Sequence, residues 1–381
     1  MNATGIHPPE GTVRSWLDSR ARENGSETSH VFPDEADLTW AELRHEAEEI
    51  AYQLAGLGVS KGESVALMMP NSRQGILCLF GALYGGFRTA VINLVAGTEA
   101  ISYALSHSEA KFVFLGEGQS PLLDNVRAMG SFSAIPIPVG KQIQWPRTGA
   151  KGALEGLSPD DHAILMYTSG TTGRPKGVVH SHASLLAGGW TSATAHELTS
   201  SDRAMCVLPI YHINGLCVTI MAPLVSGGSV IVCEKFSASR FWSICKEFEA
   251  TWFSVVPTII SHLLHGDHNP DEHTIAKIRF GRSASSALAV ETQIAFETRF
   301  GIPIVETMGL TETAAQILSN PLPPGLRKIG SPGKAYGNDV AILGPDLSPL
   351  PIDIEGEIAV RGPNVMHGYF KNREATVAAL T

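Results

Sequence analysis

Apolar residues follow two alternating rhythms along most of this chain. Short unbroken apolar runs stand between stretches in which apolar residues return every three to four positions. Leu43, Ala47, Ile50, Ala51 and Leu54 fall on one helical face. Thr39 stands before them with Glu42 three residues on, which reads as a capping box, and Gly58 closes the helix. Residues 65–69 form a buried strand that stops at Pro70-Asn71-Ser72, and a helix is expected over 75–84. Residues 90–92 and 112–115 are further strands, as is the run Ala163-Ile164-Leu165-Met166. Strand and helix keep alternating, which predicts an α/β fold of two layered subdomains with mainly parallel sheets.

The pattern also suggests boundaries. Residues 1–35 are polar, rich in Pro and Gly at the start, and expected to be partly mobile. The first α/β subdomain is placed at 1–160, and its last part, 116–160, is an irregular connection rich in Gly, Ser and Pro. The second runs over 161–325. Residues 326–381 change character, with short strands at 340–343 and 356–360, and are expected to form a small β-barrel-like element. The long apolar region 205–233 is broken by Pro209, His212, Asn214, Pro223 and Gly227-Gly228. A membrane span needs about 20 uninterrupted apolar residues, so this region reads as strand, turn, helix and strand. No internal repeat is visible.

Composition narrows the class. With 44% hydrophobic and 17% charged residues, the 381-residue chain is a compact globular protein with a large core. Acidic residues outnumber basic ones by 37 to 28, and no Lys/Arg cluster suggests a nucleic-acid surface. The five cysteines form no C-x-x-C pair and sit among apolar neighbours, as core thiols of a reducing compartment would. A zinc site is not expected, and the N-terminus MNATGIHPPEG has no apolar run of the signal-peptide kind. The expectation is a cytoplasmic protein.

Candidate chemistry centres on YTSGTTGRPKG, residues 167–177. Its glycines let backbone approach a ligand closely, turned-in N–H groups bind anions, and Lys176 adds a compact positive charge. The loop is suited to a nucleotide polyphosphate. Its spacing is not that of the P-loop, because no Ser or Thr follows the lysine. A flexible linker is a poor alternative, since Pro175-Lys176-Gly177 leads straight into apolar Val178-Val179.

This run resembles the signature loop of the adenylate-forming, AMP-binding superfamily, which includes acyl-CoA synthetases, adenylation domains of peptide synthetases and luciferases. Further segments match in the expected order over about 35–375: the stretch 38–72, LPIYHINGL at 208–216, GRSASSALA at 281–289, ETMGLTET at 306–313 and GEIAVRGPNVMHGYF at 356–370. The resemblance implies that ATP is held by Thr168, Ser169, Gly170, Thr171, Thr172, Gly173 and Lys176, with adenine between Ser285-Ser286-Ala287 and Thr307-Met308-Gly309. It implies that Thr311 contacts the α-phosphate, and that Thr168 and Glu312 hold Mg²⁺, a hard cation that prefers oxygen ligands. By the same resemblance His212 is a gate between nucleotide and carboxylate sites, and His212, Ile213, Asn214, Gly215 and Gly309 line the acyl pocket. Lys176, His212, Thr311 and Glu312 are then the candidate catalytic residues. The block 356–370 is read as structural, with no catalytic role for Arg361 or Tyr369.

Three departures shape the expectation. Met308 stands where the family usually stacks a Tyr on adenine, and Ala287 stands where Pro is common. After Tyr211 the chain has His212 and Ile213, where amino-acid-activating domains place an Asp, which argues against α-amino acids. The pocket candidates, Ser285 among them, are neutral and partly small, suiting an uncharged aryl or aliphatic carboxylate. The expected reaction is ATP-dependent formation of an acyl-adenylate, then transfer to CoA. Alternatives are loading of a carrier-protein phosphopantetheine, or an acyl-adenylate-binding module without turnover. The family's Gly-Asp ribose motif, hinge and small C-terminal domain with its lysine are not found before Thr381, so the chain resembles the large N-terminal part alone.

Overall fold

The structure is a computed structural model that describes residues 8–130, 132–147, 151–168 and 174–380. Two large sheets carry it. The seven-stranded sheet runs, edge to edge, Gly368–Tyr369, Lys176–Ser181, His162–Thr168, Arg88–Val91, Ser64–Met68, Ala110–Gly116 and Ile135–Val139. Its five strands from His162–Thr168 to Ile135–Val139 pair in parallel. The nine-stranded sheet runs Lys334–Ala335, Ala315–Ser319, Ile304–Leu310, Phe280–Ser283, Trp252–Val255, Arg203–Cys206, Ser229–Val232, Thr28–Val31 and Leu38–Thr39. It is parallel from Ile304–Leu310 to Thr28–Val31 and antiparallel at both ends. Parallel strands need covered faces, and the unbroken apolar runs of the sequence supply residues for both.

Helices fill the space between the sheets. Trp40–Gly56 begins at the expected capping box, in which the Thr39 hydroxyl accepts from the Glu42 N–H and the Glu42 carboxylate accepts from the Thr39 N–H. Arg73–Gly85 and His182–Ala195 are buried on nearly all sides. One hydrophobic cluster joins residues of both sheets, such as Val65 and Val91 with Ala204 and Val230. The five cysteines are buried free thiols. Among the described residues no helix is long and apolar enough to cross a membrane.

Sheet membership does not follow the boundary drawn at residue 160. His162–Thr168 and Lys176–Ser181 belong with the strands of the first half, and Thr28–Val31 with those of the second. A parallel sheet takes its neighbours by crossover, so nearness in sequence does not decide which sheet a strand joins. From residue 8 on, the first part of the chain is also more ordered than its composition suggests. Helix Val13–Asn24 opens at Thr12, buries Val13 and Leu17, and is tied down by Arg20, whose guanidinium donates to the Leu224 and Val225 carbonyls. Within the expected connection lie helix Ser120–Met129 and strand Ile135–Val139. Pro136 and Pro138 disguised that strand, and they are tolerated because it is an edge. The small β element is a two-stranded antiparallel sheet, Asp339–Leu343 with Glu357–Arg361, and no closed barrel is present among the described residues. Region 205–233 follows the expected order, but its helix is π-helical over Asn214–Met221 before the α-turn Ala222–Ser226.

Candidate functional site

A cavity of about 540 Å³ opens where ends of both sheets meet. Its wall includes Thr168, Lys176, His212, Ile213, Asn214, Ser285, Gly309, Thr311 and Glu312, so nine residues singled out in the sequence share one space. Arg282 and Tyr369 line it as well. Ser169, Gly170, Thr171, Thr172 and Gly173 lie outside the described residues.

The phosphate-side wall is built from two strands and a strap. Thr168 ends one strand and Lys176 begins its antiparallel partner, and the two residues are paired in register. The Lys176 ammonium sits 4.9 Å from the centre of the Tyr369 ring, a cation–π distance. The Tyr369 hydroxyl donates to Glu312 Oε1 at 2.8 Å. Burial, and then the Glu312 carboxylate, push the Tyr369 phenol above its ordinary pKa, so it stays a proton donor. The strap is fastened beneath: Met366 N–H donates to the Glu312 carbonyl at 2.8 Å and Asn364 Nδ2 to the Thr313 carbonyl at 2.8 Å. His180 is fully buried and donates from Nε2 to the Thr311 carbonyl at 2.7 Å. Burial lowers its pKa to about 4, so it is a neutral donor there. Tyr369 therefore belongs to the cavity wall rather than to framing alone.

The other wall comes from the nine-stranded sheet and the π-helical segment. Gly215 allows the turn before that segment, since a Cβ there would come within 2.4 Å of the Pro209 carbonyl oxygen. Asn214 opens the segment and faces three partners: its Oδ1 accepts from Arg282 Nη1 at 2.8 Å and from Ser254 Oγ at 3.2 Å, and its Nδ2 donates to Ser285 Oγ at 3.3 Å. Ser285 holds a left-handed φ of 75°, a strained position of the kind that collects at functional sites. His212 lines this cavity and also a smaller adjoining cavity of about 360 Å³ with Tyr211 and Tyr167. Desolvation lowers its pKa, so its ring is neutral at physiological pH.

Several expected residues do not face this cavity. Gly215 acts through the backbone turn. Ser286 and Ala287 are exposed beside it. Thr307 is buried, its hydroxyl donating to the Ser283 carbonyl at 3.2 Å. Met308 is half-buried opposite Leu318 in the antiparallel pair. The expected neutral pocket omits Arg282, which stands in the strand Phe280–Ser283 beside small Gly281 and Ser283. As the one charged residue of 280–289, it was the available signal.

Among the described residues no three His, Cys, Asp or Glu side chains cluster as a metal cage. Mg²⁺ does not need one, because it keeps waters and takes one or two carboxylates plus substrate phosphates. Glu312 and the Thr168 hydroxyl in one cavity fit that donor set.

Comparisons with known proteins agree with this geometry. The profile described as AMP-binding enzyme matches residues 17–370. A sulfoacetate–CoA ligase of Cupriavidus necator is 41% identical over 387 residues, covering 100% of this chain and 75% of that protein. An oxalate–CoA ligase of Arabidopsis thaliana is 32% identical, covering 96% of this chain and 74% of that protein. The inhibitor-bound crystal structure of the N-terminal domain of FACL13 from Mycobacterium tuberculosis superposes with a TM-score of 0.89 at 26% identity, covering 97% of this chain and 94% of that one. The match runs through the segments that wall the cavity, and the chain belongs to the AMP-binding enzyme family.

Proposed function

We propose that this protein is an acid–thiol ligase that uses ATP to convert a small carboxylic acid to its acyl-adenylate and passes the acyl group to CoA. One observation carries the reading. Lys176, Thr311 and Glu312 of the nucleotide segments share a cavity with His212, Ile213 and Asn214 of the acyl segment. Relatives named as CoA ligases of sulfoacetate and oxalate support CoA as acceptor over a carrier protein.

In the first step a carboxylate oxygen attacks the α-phosphorus of ATP. The bond to the bridging oxygen breaks, and pyrophosphate leaves with the electron pair. In the second step the CoA sulfur, as thiolate, attacks the acyl carbon and AMP departs. Such chemistry depends on positioning and charge stabilisation. Lys176 supplies positive charge, held over the Tyr369 face. Tyr369 fixes one oxygen of Glu312 and leaves the other for a cation. Thr168 and Glu312 would hold Mg²⁺, whose role is to neutralise phosphate charge. Neutral His212, at the junction of both cavities, presents no charge that would trap the acid outside.

The test is acid-dependent pyrophosphate release, followed by CoA-dependent AMP release, over a panel of carboxylates. Release of ADP and orthophosphate instead, or no dependence on any acid, would sink the reading.

A further inference from the structure

Arg282 is the least expected group in the cavity. Its side chain is 1% exposed. It is held by neutral oxygens only: Nη1 donates to Asn214 Oδ1 at 2.8 Å and to Ser254 Oγ at 3.1 Å, and Nε donates to Gln316 Oε1 at 3.3 Å. Nη2 has no hydrogen-bond partner among the described residues. No carboxylate pairs with Arg282 there either, and the remaining residues of the chain include no Asp or Glu. Burial alone pulls its pKa down to about 9, with no acidic side chain raising it.

A buried charge without a counter-charge is costly, and folds keep one where function uses it. The neutral partners do something more specific. They fix the guanidinium plane while leaving its charge uncompensated, and they leave Nη2 as the nitrogen that can donate to an anion. The cation lines the same cavity of about 540 Å³ as Lys176 and Glu312. The reacting carboxylate belongs beside the phosphates, so a second anion is required to satisfy Arg282.

Resting on the reading of the chain as an acid-activating enzyme, we infer that its substrate is a short acid carrying a second anionic group, carboxylate or sulfonate, and that Arg282 binds that group. Asn214 and Ser254 are positioning residues that hold the guanidinium in place. A substrate with an apolar tail leaves Arg282 desolvated and unpaired, so such acids are rejected. This replaces the uncharged aryl or aliphatic acid expected from the sequence.

The experiment measures acid-dependent ATP–pyrophosphate exchange on the full protein with matched pairs: malonate against propionate, succinate against butyrate, and 3-sulfopropionate against butyrate. The unmodified protein should prefer the doubly anionic member of at least one pair by about 100-fold or more in kcat/KM. Arg282→Gln should lose that preference while exchange with the singly charged acid stays level or rises. Arg282→Lys, which keeps a charge without the fixed guanidinium plane, should fall between. Equal use of both members by the unmodified protein overturns the inference and leaves acid activation standing, and this arm needs no variant to fold. An equal loss on every acid in folded Arg282→Gln, judged by an unchanged melting temperature, overturns it in favour of a purely structural role. Exchange with neither set overturns the inference together with the activity beneath it.

Discussion

Single side chains around the cavity have separable jobs. Lys176→Ala removes a half-buried cation while leaving the strand pairing Thr168 with residue 176 intact. Adenylation should fall by about 10²–10³, the usual scale for one preorganised electrostatic contact, with an unchanged melting temperature. Unchanged exchange kinetics would remove Lys176 from the phosphate site. Tyr369→Phe keeps the ring under the ammonium and deletes the hydroxyl that orients Glu312. A hydrogen bond to a charged group is worth about 1.5–3 kcal/mol, so activity should drop about tenfold or more, and the Mg²⁺ concentration for half-maximal rate should rise. A variant indistinguishable from the parent in both would show that Glu312 needs no such support. Gly309 is constrained differently: a Cβ there would stand 1.7 Å from the Ala315 carbonyl oxygen. Gly309→Ala should therefore cost about 3 kcal/mol or more in denaturant unfolding, by forcing the hairpin apart.

At the scale of elements, the site depends on a joint between the sheets. Asn71 follows the strand Ser64–Met68 and is buried. Its Nδ2 donates to the Leu208 and Cys233 carbonyls at 3.0 and 3.1 Å, and its Oδ1 accepts from the Ile210 N–H at 2.9 Å. It clamps the loop that carries His212. Asn71→Ala would take the partner from the Ile210 N–H and the Cys233 carbonyl and leave the Leu208 carbonyl only the Cys206 thiol, so about 2–4 kcal/mol of stability should go, and KM for the acid should rise more than KM for ATP. Equal changes in both would place the clamp outside the acyl side. Elements of this kind were only partly legible in the sequence. The capped helix from Trp40, the strands from Ser64 and Ala110, and the phosphate-loop strand were readable because period and caps are local. Strand Ile135–Val139 was hidden by its prolines, and helix Val13–Asn24 by an apolar face of only two buried positions. The role of Arg282 is not legible in the sequence because it lies in what surrounds the side chain. Neutral partners, and the missing carboxylate, appear only when Asn214, Ser254 and Gln316 are brought together from distant segments.

For the whole molecule, buried histidines set the acid limit. Burial lowers the pKa of His30 to about 3 and of His180 and His182 to about 4. His196 is lowered well below its ordinary value by burial and then by Arg282. Below the unfolded histidine pKa of about 6.5 the unfolded chain binds protons that the native protein refuses. Stability should hold above about pH 6.5 and fall as pH drops from there toward 4. Between pH 7.5 and 5, before most carboxylates titrate, the melting temperature should fall by about 5 °C or more. A flat profile over that window would mean that these rings are hydrated or already protonated in the native state. The threading of the two sheets has a different consequence, one of timing. Thr28–Val31 is made early, yet its parallel neighbour Ser229–Val232 lies about 200 residues further on. At about 5–20 residues per second, the ribosome leaves that strand without its parallel neighbour for some tens of seconds, with only the short strand Leu38–Thr39 beside it. A nascent chain halted near residue 200 should be cut readily by protease between 25 and 40, and one extended well past 233 should resist.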